Sequence, residues 1–248
     1  MHRSPIAILS DIHSNLHALD AVIADLKATK VDNVVCLGDL VGYAAFPDEC
    51  IARVRERGWA AVLGNHDDAL DNPPAKEMMN DVAVAGIRYA EKQVSADHRL
   101  WLEELPQTLT RSHAIFTHAS LERSEEWPYL VDVESALLHF VEQKVPICFI
   151  GHTHRPMIIN LQDKGKLDVL TPGEEADIQL PSAGKTTINV GSVGQPRDGD
   201  PRACYVLYFP KLHAVEFRRV EYDIKAAQKA IRDAGLPAFA ASRLAKGR

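Results

Sequence analysis

The sequence predicts an α/β protein with a partly parallel sheet followed by a second, more antiparallel one. Two observations carry that expectation. Short apolar runs rich in β-branched residues recur along the chain, and amphipathic helical patterns separate them up to about residue 150. From Arg155 to Val220 the alternation gives way to strands and turns.

In chain order, Ile6–Leu9, Val34–Leu37, Ala60–Leu63, Ala114–Phe116, Ile147–Ile150 and Ile188–Val190 are each too short for a buried helix. They suit strands covered on both faces. After a Ser14-Asn15 cap, Leu16, Leu19, Val22, Ile23 and Leu26 keep helical spacing. Asp48 to Arg57 is a second helix, stopped by Gly58. Asn80 to Leu105 reads as one long or two abutting helices, with Ser95 as the internal cap and Pro106 as the stop. Asp132 caps another, whose inner face is expected to be Leu137, Leu138 and Val141. The later strands are Met157–Leu161, Val169–Leu170, Tyr205–Phe209 and Ala214–Val220, and Asp223 to Ala234 is a closing helix. No long Pro/Gly/Ser linker or internal repeat divides the chain. We expect one domain over 1–248, with 237–248 as a frayed, flexible tail.

Composition removes several function classes. Across 248 residues, 46% are hydrophobic and 25% charged, an ordinary globular balance that excludes disordered and low-complexity scaffolds. A chain of this length buries roughly 70–75% of its surface on folding and needs no staples. The formal net charge of −6 argues against stable nucleic-acid binding by bulk electrostatics. The four cysteines form no Cys-x-x-Cys pair, and Cys36 and Cys148 lie in apolar runs, which fits a reduced compartment. With no signal peptide and no apolar run near the ~20 residues of a membrane span, a cytoplasmic location is expected.

The chemistry lies just after the apolar runs. Ser10-Asp11-Ile12-His13 comes after the first and Gly38-Asp39-Leu40-Val41-Gly42 after the second. Gly64-Asn65-His66-Asp67 comes after the third, Thr117-His118 after the next, and Gly151-His152-Thr153-His154 after the fifth. Ligands of α/β sheets collect outside the carboxyl ends of the strands, so these side chains are expected to converge on one edge. Taken singly, Asp11 reads equally well as a helix cap, and Gly38-Asp39 and Gly64-Asn65 as ordinary turns. Together, two carboxylates, an amide oxygen and four imidazoles offer mixed oxygen and nitrogen ligation. That suits Mn, Fe, Zn, Co or Ni better than Ca or Mg. Seven side chains exceed one tetrahedral site and suit two metals roughly 3.5–4 Å apart sharing a carboxylate.

Asp-x-His, Gly-Asp-x-x-Gly, Gly-Asn-His-Asp, a lone His after a strand and Gly-His-Thr-His, in that order, resemble the calcineurin-like metallophosphoesterase superfamily. The segment from Asn189 to Arg202 looks like its small bacterial and archaeal phosphodiesterase branch. The resemblance implies a four-layer α/β/β/α sandwich of two mixed sheets flanked by helices, with a dimetal site at the strand C-terminal edge. It implies that Asp11, His13 and His154 hold one metal, that Asn65, His118 and His152 hold the other, and that Asp39 bridges. It implies in-line attack on phosphorus by a hydroxide between the metals, with His66 as general acid. Manganese is the expected metal.

Departures from the family pattern shape the substrate expectation. The Ser/Thr protein phosphatases of the superfamily carry Asp-Arg-Gly after the Gly-Asp turn and Arg before Gly-Asn-His. Here Gly42 and Tyr43 come after Val41, and Leu63 precedes Gly64. The phosphate-clamping arginines and the carboxylate that would orient His66 are therefore missing from those places. Arg197 and Arg202 are candidate substitutes, unless Asp198 and Asp200 pair with them. Tyr43, Phe46, Trp127 and Tyr129 either stack a nucleobase or anchor their loops. The expected substrate is a small phosphodiester or nucleotide, with dinucleoside polyphosphates as one option. A phosphomonoesterase or protein phosphatase is the alternative within the enzyme class, and a non-catalytic scaffold on the same fold the alternative outside it. The strand-rich second half offers an interface for a homo-oligomer. Ala183-Gly184-Lys185-Thr186-Thr187 lacks the first glycine of a phosphate loop, and Gly191-Ser192 is no nucleophile elbow. His2, His17, His98, His113, His139 and His213 read as surface or packing residues.

Overall fold

The computed structural model describes residues 5–162, 165–173 and 176–248, so the reading of His2 lies outside the described residues. The strands are β1 Ile6–Leu9, β2 Val34–Cys36, β3 Ala60–Ala61, β4 Thr108–Arg111, β5 Ala114–Thr117 and β6 Ile147–Ile150. They continue as β7 Met157–Leu161, β8 Leu167–Leu170, β9 Ala176–Gln179, β10 Lys185–Asn189, β11 Ala203–Phe209 and β12 Ala214–Val220. The helices are α1 Leu16–Thr29, α2 Pro47–Glu56, α3 Asn65–Asp68, α4 Pro73–Glu77, α5 Asp81–Gln93, α6 Ala96–Glu103, α7 Val133–Glu142, α8 Ile224–Asp233 and α9 Ala238–Leu244.

Two mixed six-stranded sheets result, in the orders β3-β2-β1-β11-β12-β9 and β4-β5-β6-β10-β7-β8. In the first, β1, β2 and β3 run parallel, and β11 lies antiparallel to β1. In the second, β5, β6 and β10 run parallel. Strand periodicity explains how the sheets stack. Ile6 and Ile8 point into a core shared with Tyr208 of the same sheet and with Phe116, Phe149 and Ile188 of the facing sheet. Ala7 and Leu9 point the other way, into a core with Leu19 and Val22 of α1 and Ile51 of α2. Phe140 of α7 covers Cys148 and Ile150 on the outer face of the second sheet. The order of layers is therefore helix, sheet, sheet, helix.

Asn15 caps α1 through its side-chain oxygen, and the Asn80-to-Leu105 pattern splits at Ser95 as the sequence suggests. Two expectations are corrected. Leu137, Leu138 and Val141 lie outward, at 40%, 44% and 63% exposure. The inner face of α7 is Ala136, His139 and Phe140. A polar residue takes an interior place because His139 is fully hydrogen-bonded there: its Nδ1 accepts from Leu121 N at 3.1 Å, and its Nε2 lies 2.9 Å from Thr187 Oγ1. The region of the expected frayed tail instead holds α9, with Ala240, Ala241 and Leu244 buried in one cluster with Ala227 and Ile231 of α8. Among the described residues, no helix is long and apolar enough to cross a membrane.

Candidate active site

The parallel strands of both sheets deliver their succeeding turns to one place. Leu37 N donates to Leu9 O and Asp11 N to Gly38 O, which joins the turns after β1 and β2. The two sheets are tied together where His152 N donates to Asp11 Oδ2 at 3.0 Å and Val193 N to Ser10 O at 2.9 Å. Asp11, His13, Asp39, His118, His152 and His154 are all buried there.

Ligand atoms of Asp11, His13, Asp39 and His154 cluster within 4.8 Å of one another. Their hydrogen bonds fix the tautomers. His13 Nδ1 lies 2.9 Å from Val41 O, and His154 Nδ1 lies 2.6 Å from Gln195 O. A carbonyl only accepts, so each Nδ1 carries its proton and each Nε2 presents a lone pair. Those two Nε2 atoms face each other at 3.1 Å. Two lone pairs at that distance repel unless a cation or proton lies between them. Burial, the first cause, pushes both rings below the usual imidazole range and so keeps them neutral. Asp11 Oδ1 stands 3.1 Å from His154 Nε2 and 3.7 Å from His13 Nε2.

Asp39, His118 and His152 form a second group that shares Asp39 with the first. His118 Nδ1 is 2.7 Å from Leu37 O, so Nδ1 is spent on that carbonyl and Nε2 is the atom turned to the site. That nitrogen meets His152 Nδ1 at 3.2 Å and Asn65 Oδ1 at 3.1 Å. Asp39 Oδ1 accepts from His66 N at 2.8 Å. Asp39 Oδ2 is then free to stand 3.4 Å from both His13 Nε2 and His118 Nε2. One carboxylate oxygen equidistant from the two groups is the geometry of a shared ligand. Burial opposes charge on Asp39 and His118. Even so, the His118 and His66 imidazoles hold Asp39 well below the usual carboxylate range, and Asp39 raises His118 to about 9. The donor set, its tautomers and its negative charge fit two divalent cations.

The turns carry strain. Asp11, His13, Ser14, Asp39, Tyr43, His152 and His154 all have positive φ, a conformation that costs a non-glycine residue on the order of 1–3 kcal/mol. Such strain persists only where its surroundings impose it, and here it aims side chains inward. Gly64 is required for a related reason. A Cβ there would lie 3.0 Å from Asp39 Cα and closer still to Asp39 N and Oδ1.

The chain matches the calcineurin-like phosphoesterase superfamily domain over residues 5–210. It belongs to that superfamily. It is 36% identical to an uncharacterized protein of Methanocaldococcus jannaschii over 253 residues, covering all of both chains. A crystal structure of a metallophosphoesterase from Sphaerobacter thermophilus is 38% identical, covers 99% of each chain and superposes with a TM-score of 0.86. A hypothetical protein from Pyrococcus horikoshii OT3, 17% identical over 98% of each chain, shares the fold with a TM-score of 0.77.

Around this calcineurin-like site lie the remaining candidates. His66 packs edge-on against His13, with centroids 4.6 Å apart, and against Tyr43 at 4.8 Å. Its Nδ1 is buried without a partner beside Gly42, where a Cβ would clash with the ring. Packing, and not a carboxylate, orients it. Burial pushes this ring down to about 4, with Asp39 opposing and His154 and Arg197 adding to the shift. Arg197 donates to Gln195 Oε1 at 2.8 Å and to the Tyr43 hydroxyl at 3.4 Å. Arg202 is instead committed to Asp200, through Nε at 3.1 Å and Nη2 at 2.7 Å. The structure therefore brings Arg197 and Tyr43 to the site, while Arg202 sits in its own ion pair. A cleft of about 660 Å³ opens beside the ligands, lined by Tyr43, Asn65, His66, Trp127, Tyr129 and His152, with Met78 and Met79 opposite. Tyr129 stacks on His152 at 4.0 Å, and Trp127 meets His118 edge-on at 5.8 Å.

Asp67 is the residue whose part the sequence did not disclose. It is buried and accepts from Leu40 N at 2.8 Å, Val41 N at 3.1 Å and Gly64 N at 3.2 Å. It thereby pins the Asp39 turn to the Asn65 turn. Burial and the nearby Asp39 push it up to about 8. An acid three residues after Gly64 is the available signal, since that spacing lets a carboxylate cap a helix start.

Proposed function

We propose that the protein hydrolyses a small phosphodiester or nucleotide at two divalent transition-metal ions, with manganese the favoured pair. Asp11, His13 and His154 would hold one ion and Asn65, His118 and His152 the other, with Asp39 between them. The observation that carries this reading is the approach of His13 Nε2 and His118 Nε2 to one oxygen of Asp39, with His154 Nε2 beside His13 Nε2 and Asp11. When bound, such a pair supplies water of lowered pKa and neutralises developing charge on phosphoryl oxygens.

The chain's own groups do the rest. His66, held by Gly42, Tyr43 and His13, lines the cleft, where a phosphoryl anion beside it would raise its depressed pKa and let it donate the proton that the leaving oxygen requires. Arg197 lies close enough to lower the pKa of both His66 and His154, so its charge also reaches a phosphoryl group placed between them. Tyr43, Trp127, Tyr129 and the two methionines wall the cleft with polarizable, flat surfaces that suit a nucleobase. Its volume falls in the range of small-molecule sites, which favours a nucleotide over a phosphoprotein. Every ligand position is filled by a donor, which favours catalysis over a purely structural role.

The test is hydrolysis of bis-p-nitrophenyl phosphate beside p-nitrophenyl phosphate by chelator-stripped protein, before and after Mn²⁺ is restored. Metal-dependent turnover favouring the diester is expected. A monoester preference would replace the reading with a phosphomonoesterase, and no turnover by the folded, metal-loaded protein would overturn it.

A further inference from the structure

Arg197 is not alone at its position. Its guanidinium carbon lies 5.8 Å from the Tyr43 ring centroid, and that of Arg243 lies 6.0 Å from the same ring. Arg243 belongs to α9, the helix that stands where sequence alone suggests a frayed tail. The tail is docked on the Arg197 loop: Gly199 N donates to Gly247 O at 2.9 Å, and Arg243 Nε donates to Arg248 O. A Cβ on Gly247 would run into the Asp200 backbone at 2.7 Å, so the two segments are in close contact.

Neighbouring arginines are neutralised. Arg202 pairs with Asp200, Arg218 with Asp25 and Glu216, and Arg219 with Asp198. Among the described residues, no Asp or Glu side chain pairs with Arg197 or Arg243; Arg243 spends its Nε on the main-chain oxygen of Arg248, which leaves its terminal nitrogens for another acceptor. The Nε of Arg197 is buried and makes no hydrogen bond. Burial and the Arg197 charge both push Arg243 below its usual value, so the two guanidinium groups are near enough to repel each other. The same Tyr43 ring packs against His13 and His66.

We propose that Arg243 joins Arg197 across Tyr43 to form a subsite for a second phosphate group, so that the substrate is a di- or polyphosphate ester and not a lone phosphoester. This rests on the reading of the neighbouring cluster as a phosphoester site. The chemistry is that of guanidinium forks facing a polyanion, with each donor fixed by its own secondary contacts. The substrate leaves its scissile phosphate at the metal ligands and extends the next phosphate past Tyr43.

Calorimetric binding of AMP and of the non-hydrolysable α,β-methylene analogue of ADP to the Mn²⁺-loaded full chain tests this. The wild type is expected to bind the diphosphate at least roughly tenfold tighter, the worth of one charge-assisted contact. Arg243→Gln should collapse that preference to within about threefold, and Arg243→Lys should retain part of it. Arg197→Gln should lower the same ratio and carries the test if Arg243→Gln undocks α9. A wild type without diphosphate preference, or an undiminished preference in both glutamine variants, would overturn the proposal. Failure of the hydrolase reading would show separately, as absent turnover of bis-p-nitrophenyl phosphate.

Discussion

His139 offers a prediction whose size is set by its surroundings. The ring is fully buried on α7, and burial pushes its pKa from 6.5 down to about 4. A depressed folded-state value means that the unfolded chain takes up a proton first as pH falls. The contribution is intact above pH 6.5 and is lost progressively toward pH 4. At pH 5 the unfolded ring is almost fully protonated and the folded ring only about a tenth so. Wild type therefore loses about 2 kcal/mol through this one group between pH 7.5 and pH 5. For a chain of this size that corresponds to roughly 4–8 °C of melting temperature. His139→Gln cannot titrate, so its melting temperature should fall less steeply over that interval. Imidazoles elsewhere titrate in both proteins and cancel in the comparison. The assay is thermal unfolding of both proteins at half-unit pH steps with metal removed. Parallel curves would refute the claim that a neutral buried imidazole holds Leu121 and Thr187 in place.

Three further outcomes are expected. Gly64→Ala forces the Asp39 backbone and carboxylate to move on the order of 1 Å, so Mn²⁺-dependent kcat should fall on the order of 10²-fold. Gly173→Ala, where a Cβ meets nothing within 4 Å, should be silent, and equal activity of the two would remove the steric argument. His66→Ala should keep its metals, as measured by metal content, and lose ~10²–10⁴-fold on alkyl esters that need a proton on the leaving oxygen. Its loss on nitrophenyl esters should be smaller, and an equal loss on both would exclude the proton-donor role. Asp25→Asn should destabilise at neutral pH. Hydrogen bonds from Arg218 and Tyr205, against the effect of burial, hold this carboxyl below its usual 3.8. Its stabilisation is thus present above pH 3.8 and fades as pH falls through the lower folded value, so variant and wild-type urea midpoints should converge in acid.

Much of the site was legible because it is built from turns. Each apolar run is too short for anything but a buried strand, and the turn leaving a parallel strand must lie at its carboxyl end. Asp11, Asp39, Asn65, His118, His152 and His154 therefore meet where spacing alone places them. The edge strands β4 and β9 were not legible. Thr108–Arg111 is largely exposed, and an edge strand needs no apolar pattern to pair on one side. The face of α7 misled because hydrophobicity marks burial only when no polar network competes, and His139 finds Leu121 and Thr187 as partners inside. Arg243 was invisible to pattern reading, since a small, basic tail has the composition of a frayed end. Tertiary contacts with α8, Gly199 and Tyr43 distinguish this segment from one.

The central claim is that Asp39 joins two cation pockets, and metal stoichiometry tests it most directly. Mn²⁺ titration of the stripped chain by calorimetry should give two ions per chain. Asp39→Asn should weaken both binding steps, whereas His154→Ala should abolish one and leave the second. A single ion per wild-type chain, or an Asp39→Asn variant impaired at only one step, would contradict the account.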